Sequence, residues 1–338
     1  MSFKRYDADD FLVSSDSITS TLWSTGNPIL TEFYTSSVQD AGSSGNFYLS
    51  VYQTSSALTN SETQFEIAYG DVLGSGSTYY NSAVEGKSPS LSIYGQYRAL
   101  ILEDENKSFT FGTDNNVFTT PNFWVISMDR ARYKESLFPG SLNLKLSGSN
   151  GVINLTDNSK DVSVNTFIGS SKVYQLISGS NGTSGTLANS GYVSGKGSYG
   201  LVFPELGTIL LNPQAISQSI HVDAVRTANS ANGVNNATLY TSIVLGENFK
   251  LNSQETITSD YVFTRARNSE FNYTQNPTFI SGSTGEVIYD NFINNPQTFI
   301  TTIGMYNDSN DLLAVAKLSR PLLKDFTKEA LVRVKLDF

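Results

Sequence analysis

Alternation of apolar and polar residues is the dominant signal along this chain, and it predicts strands. It is clearest over Leu331-Val-Arg-Val-Lys-Leu-Asp-Phe338. There Val332, Val334, Leu336 and Phe338 point one way, and Arg333, Lys335 and Asp337 the other. Period two marks a half-buried strand. Upstream, Thr298–Tyr306 and Leu312–Leu318 read as a hairpin around Asn307-Asp-Ser-Asn-Asp311, since Asn and Asp tolerate left-handed backbone and bond their own chain. Pro321 is expected to stop the returning strand, because it has no N–H to give a ladder. In a second hairpin, Leu142, Leu144 and Leu146 alternate with Asn143, Lys145 and Ser147, Gly148-Ser-Asn-Gly151 turns, and Val152–Thr156 returns.

Shorter strands are predicted over Asn46–Gln53, Glu62–Tyr69, Phe109–Gly112, Phe123–Met128, Val173–Ser178, Tyr199–Phe203, Gly207–Leu211 and Asp260–Arg267. Most are rich in β-branched and aromatic residues, which suit a pleated surface. Helix is scarce. Asn212-Pro-Gln-Ala-Ile-Ser-Gln-Ser-Ile220 offers Asn as N-cap and Pro at the first helical position. Asn236–Phe249 carries Leu239, Ile243 and Val244 at helical spacing, a weaker signal. The pattern predicts an all-β protein of antiparallel, sandwich-like domains, with one or two short helices and long polar loops.

Three stretches dominated by Gly, Ser, Thr and Asn, at about 36–46, 178–198 and 227–238, read as surface loops. A sharper reading is that they order only against a neighbouring subunit. No fixed-period repeat is present, which argues against solenoids and propellers. The chain divides into an arm (1–22), a β region (23–140), a Ser/Gly-rich β region with the short helices (141–250) and a C-terminal β region (251–338). Whether the second and last regions pack as one domain around an inserted middle stays open.

Composition narrows the chemistry. The 338 residues include 22 Lys and Arg, 31 Asp and Glu, one His and no Cys, for a net charge of -9. Thiol nucleophiles, thiolate metal sites and disulfides are excluded. The acidic balance argues against nucleic acid as the main partner. With 20 Phe and 18 Tyr to bury, the chain does not read as disordered. No run approaches the ~18 apolar residues of a membrane helix. The N-terminus lacks the apolar stretch of a secretory signal, so the mature chain is expected to start at or near Met1.

Each motif with chemical potential has a plainer reading. Gly195-Lys-Gly-Ser-Tyr-Gly200 matches a dinucleotide fingerprint, but the following Leu201-Val-Phe-Pro204 cannot open the helix that would hold a pyrophosphate. His221 lacks a nucleophile elbow, and Asp223 is too near in sequence to imply a triad. Acidic clusters at Asp7–Asp10, Glu103–Glu105 and Asp157–Asp161 could supply paired carboxylates for glycoside hydrolysis, which spacing alone does not establish. Asp157–Asp161 and Asn307–Asp311 lack the turn Gly and closing Glu of a calcium loop. Asn-x-Ser/Thr triplets at Asn106, Asn154, Asn181, Asn236, Asn272 and Asn307 are expected by chance. Asp129-Arg-Ala-Arg-Tyr-Lys134 is the strongest basic cluster. It reads as the polar face of a strand or an intersubunit ion pair, with phosphate binding second. Arg320, Lys324 and Lys328 are placed to meet an acidic neighbour. Phe338 after an alternating strand also matches the end of an outer-membrane barrel, but no export signal or regular ~10-residue alternation accompanies it. No catalytic, cofactor-binding or metal-ligating residue is assigned.

Three C-terminal segments carry a resemblance: Phe271-Asn-Tyr-Thr-Gln-Asn-Pro-Thr-Phe279, Phe299-Ile-Thr-Thr-Ile-Gly-Met-Tyr-Asn-Asp308 and Leu312-Leu-Ala-Val-Ala-Lys-Leu-Ser-Arg-Pro321. They resemble virion structural proteins of contractile-tailed, T4-like and cyanophage-type bacteriophages. Arg130–Leu142 and Phe65–Gly70 look similar to segments of the same proteins. The resemblance implies a non-enzymatic subunit of the particle, in the baseplate wedge or associated tail, without a cofactor. Its partners would be other virion proteins and copies of itself, with no nucleic acid or membrane, after assembly in the host cytoplasm. The alternatives are a head or neck decoration protein and a receptor- or carbohydrate-binding module of a fibre or tip, for which Trp23 and Trp124 are the stacking candidates. A glycoside hydrolase is the third reading.

Overall fold

Short, continuous apolar runs mark the centre of the fold: Phe123–Ile126, Leu201–Phe203 and Ile209–Leu211 are buried along their whole length. A strand reads this way when both faces of its sheet are covered. The computed structural model describes residues 4–35, 48–55, 57–76, 89–113, 116–164, 166–185, 188–226, 232–273 and 276–337. The polar stretch 36–46, the residues 227–231 of another, Phe3 and Phe338 lie outside the described residues. The chain is all-β and antiparallel, with 45% strand and 16% helix.

In chain order the strands are β1 (Phe11–Thr21), β2 (Ile29–Leu30), β3 (Tyr34–Thr35), β4 (Leu49–Tyr52), β5 (Thr63–Asp71), β6 (Thr110–Thr113), β7 (Asn116–Thr119), β8 (Asn122–Ser127), β9 (Ser136–Leu137), β10 (Asn143–Gly148) and β11 (Gly151–Asp157). There follow β12 (Thr166–Ile168), β13 (Ser171–Ser180), β14 (Thr183–Ser184), β15 (Gly200–Phe203), β16 (Thr208–Leu211), β17 (Phe249–Lys250), β18 (Asn252–Ala266), β19 (Thr298–Tyr306), β20 (Leu312–Lys324) and β21 (Ala330–Asp337). The helices are α1 (Ser90–Tyr97), α2 (Pro213–Ile220), α3 (Asn232–Gly246) and α4 (Asp290–Asn294).

Two compact units emerge. Unit 1 comprises 1–17 and 256–338, and unit 2 comprises 18–255. Residues 23–140 and 141–250 therefore share unit 2. The segment 1–22, read as an arm, contains β1, which is paired into a sheet with β18 and β21.

Unit 2 is one large sheet in the order β2-β17-β10-β11-β13-β15-β16-β8-β5-β4-β3, with β12 and β14 added to β13. The sheet curls until its ends meet. Phe65 on β5 and Phe249 on β17 lie 5.2 Å apart edge-to-face, and Trp23 packs on Phe249 at 4.9 Å. The enclosed core collects Trp124, Ile126, Leu144, Leu176 and Ile209 from the strands, with Ile216 and Ile220 of α2 and Leu239 and Ile243 of α3. Trp124 Nε1 donates to the backbone oxygen of Asn235, at 2.9 Å, which ties β8 to the first turn of α3. The predicted cap of α2 is present: Asn212 accepts from Gln214 N, and Pro213 opens the helix. Helix α3 starts earlier than the sequence suggested, taking 232–238 from a stretch read as loop. It stops where Gly246 meets β10: a Cβ there would lie 1.9 Å from the Lys145 oxygen.

The opposite face holds a second core. Phe123 packs between Tyr94 of α1, stacked at 5.2 Å, and Phe109 at 4.8 Å. The pattern of Ile93, Tyr94, Tyr97 and Ile101 is helical. Gly95 and the lack of a capping residue at Pro89 hid α1 from the sequence reading.

Unit 1 holds the sheet β1-β18-β21 and the hairpin β19-β20. The predicted alternation of β21 is realised, with Val334 opposite Val262 and Val332 opposite Thr264. Pro321 does not end β20. Ile300 pairs with Leu322 and Thr302 with Lys317, so Thr301 alone faces 318–321. Pro321 sits in this bulge, where no ladder bond asks for its missing N–H.

Removing the ring at the seam of the curled sheet should be costly. Phe249→Ala is expected to destabilise by about 3–5 kcal/mol, read as a lower denaturation midpoint with near-UV dichroism as probe. Exposed Val152→Ala should stay within about 0.5 kcal/mol.

Candidate functional site

The polar groups singled out in the sequence are consumed inside the fold. Asp157 is buried, and both its oxygens accept the N–H of Gly140 at 2.9 Å. Asp161 Oδ2 accepts from Ser184 N at 2.7 Å. These carboxylates satisfy backbone donors and do not converge on a cation. In the Asn307–Asp311 turn, Asn307 Oδ1 accepts from Asp311 N and its Nδ2 donates to Asp311 Oδ2. Asp7 and Asp10 cap a single 3-10 turn. Among the described residues, no cluster of three potential metal ligands occurs.

Glu103 occupies left-handed backbone at φ 53°. Its Oε1 accepts from Ser170 Oγ at 2.7 Å and from Ser170 N at 3.1 Å. These bonds hold its carboxyl below the usual glutamate range. A shallow, exposed depression of about 540 Å³ lies here, lined by Glu103, Asp104, Glu105, Lys107, Ile168 and Gly169.

Gly195–Gly200 forms a turn leading into β15, and no helix follows. His221 caps the C-terminus of α2 in left-handed backbone, exposed. Ser217 donates to Asp223 and not to His221. The basic cluster is spent locally. Arg132 pairs with Glu62 at 2.7 Å, Lys134 with Glu255 at 2.8 Å, and Arg130 lies 4.8 Å over the Tyr133 ring. Trp23 and Trp124 are buried in the core and present no stacking platform. Lys328 pairs with Asp325 on the surface, while Lys324 is fully buried.

One buried charge escaped the sequence reading. Asp71 is fully buried and bound by both arms of Arg226, at 2.8 and 2.9 Å. Tyr69 Oη donates to Asp71 at 2.8 Å and accepts from Asn122 Nδ2 at 2.9 Å. Burial beside this carboxylate pushes the Tyr69 phenol far above its ordinary value. The network joins the end of β5 to the segment after α2, 155 residues away. With its described partners internal, it reads as a clamp.

What remains is surface. Among the described residues, the buried apolar side chains of unit 1 are Val262, Ala266, Ile303, Met305, Ala330 and Val334. Yet this unit, under a third of the chain, carries more than half of the large apolar residues found exposed among the described residues. On β19-β20 the reason is geometric. Ile303 and Met305 turn inward, while Tyr306, Leu312 and Val315 occupy the other face at 40%, 53% and 57% exposure. Gly304, opposite Val315, leaves room for the Tyr306 ring, whose Cε2 a Cβ would meet at 2.9 Å. Phe299, Leu313, Phe326 and Leu331 are exposed elsewhere in the unit. Large exposed apolar area on one unit points to binding of another surface.

Arg226→Met, which leaves Asp71 buried without its cation, should cost about 3 kcal/mol by denaturant titration. Ser170→Ala should raise the Glu103 pKa toward the ordinary glutamate value, measured by carboxyl NMR titration. The sign follows: the Ser170 bonds contribute stability above the ordinary carboxylate pKa, and this fades as pH falls through the lowered folded value. Comparison with models of known protein families, with curated proteins and with solved structures finds no match for this chain.

Proposed function

We propose that this chain is a non-enzymatic structural subunit of a tailed-phage virion, in the baseplate wedge or associated tail, and that it acts by protein–protein assembly. The observation that carries the assembly reading is the imbalance within unit 1, with few apolar side chains inside and many outside. Burying such surface against another protein is favourable at roughly 25 cal/mol per Å², before the costs of association. The phage assignment rests on the quoted segments of 271–321, 130–142 and 65–70.

Unit 2 supplies rigidity, because its sheet is covered on both faces and pinned at its seam. Unit 1 supplies contacts through the outer face of β19-β20. The partners are other virion proteins, copies of this chain, or both. The burial of Trp23 and Trp124 gives the carbohydrate-binding alternative no support from these rings.

The test is incorporation. The full chain, co-produced with the structural proteins of a contractile-tailed phage, should enter their assemblies. The double variant Leu312→Glu, Val315→Glu should melt like the parent and lose at least tenfold in incorporation. A parent chain that stays a monomer by light scattering at all concentrations and joins no assembly would overturn the reading.

A further inference from the structure

Lys324 ends β20 with its side chain fully buried in unit 1. The turn after β18 wraps its amine. Nζ donates to the backbone oxygen of Asn268 at 3.2 Å and to Oδ1 of Asn272 at 2.8 Å. Asn272 Nδ2 donates to the same Asn268 oxygen at 2.6 Å. Amine and carboxamide nitrogen therefore share one acceptor, while the amine also touches the carboxamide oxygen. Because a C=O bond is about 1.23 Å long, the carboxamide carbon lies within about 4 Å of Nζ. Reacting atoms become a near-attack pair at about 3–3.5 Å.

The surroundings hold this geometry. Thr298, the ladder partner of Lys324, donates through Oγ1 to the Phe271 oxygen at 3.1 Å. Glu270 Oε2 is fixed by Arg267 N at 2.8 Å and Lys4 Nζ at 3.2 Å. Among the described residues, both hydrogen-bond partners of the Lys324 amine are neutral, and burial disfavours its charged form. Its pKa is accordingly lowered by desolvation, against the opposing pull of Glu270 and Asp325. A neutral amine is the nucleophilic form of lysine.

We propose that Lys324 and Asn272 join in an intramolecular isopeptide bond. The Nζ lone pair adds to Cγ of Asn272 and the carbonyl electrons move to Oδ1. A proton passes from Nζ to Nδ2. The carbonyl re-forms, the Cγ–Nδ2 bond breaks and ammonia leaves. The product is a secondary amide between the two side chains. Nothing is oxidised or reduced, and no co-reactant is consumed. The bond ties the end of β20 to the turn after β18, and so restricts the unfolded chain of a unit whose own core is small. It needs no partner protein, so it stands or falls apart from the assembly reading.

The measurement is the intact mass of the purified full chain. It should fall about 17 Da below the sequence mass, the loss of one ammonia. A protease digest should then contain one branched peptide carrying both Asn272 and Lys324. Lys324→Arg and Asn272→Ala should each restore the unmodified mass. A folded parent chain at full sequence mass, with the two peptides separate, overturns the proposal. So does a 17 Da loss confined to one linear peptide, as a succinimide at an asparagine would give.

Discussion

The edge-to-face contact between Phe65 and Phe249 is the constraint on which unit 2 depends. The two rings sit on β5 and β17, near opposite ends of the sheet order, yet 5.2 Å apart. A sheet this wide twists and curls. The ring pair, with Trp23 against Phe249, fixes where the curl stops. Everything enclosed follows from that closure. α3 has a cavity to fill, Trp124 finds a backbone acceptor in it, and Tyr240 Oη donates to the Phe33 oxygen at 2.9 Å. The Asp71–Arg226 clamp then fastens the segment between α2 and α3 to the end of β5.

Chemistry is organised inward throughout. Asp157, Asp161, Glu103 and Asn212 spend their acceptors on backbone N–H groups. Arg130, Arg132 and Lys134 spend their charge on neighbours in the same unit. Polar side chains used in this way stabilise irregular connections between strands. The distinctive surface is apolar, and it lies on the smaller unit.

Legibility in the sequence followed the amount of local information. The hairpin of β10 and β11 was readable because Leu144 and Leu146 alternate up to a Gly-Ser-Asn-Gly turn, and the register pairs Gly148 with Gly151. The start of α2 was readable because capping is a local signal. β18 was half seen: its first eight residues, Asn252–Ser259, carry little apolar alternation, and pairing with distant strands makes them extended. Pro321 misled because a bulge depends on the partner strand. The clamp was invisible, since nothing near Asp71 announces an arginine 155 residues later. The exposed face of β19-β20 was equally hidden. Leu312-Leu-Ala-Val-Ala reads as an ordinary core strand until its neighbours are known.

The division of the chain also sets an order of events during synthesis. Unit 1 takes its parts from both ends of the sequence, residues 1–17 and 256–338. A growing chain delivers residues 18–255 first, and these can close their sheet while the ribosome is still adding the remainder. The first seventeen residues must wait until β18 and β21 have emerged. The apolar strands β19 and β20 arrive among the last segments made, so their exposed apolar face is presented only after the larger unit has had time to fold.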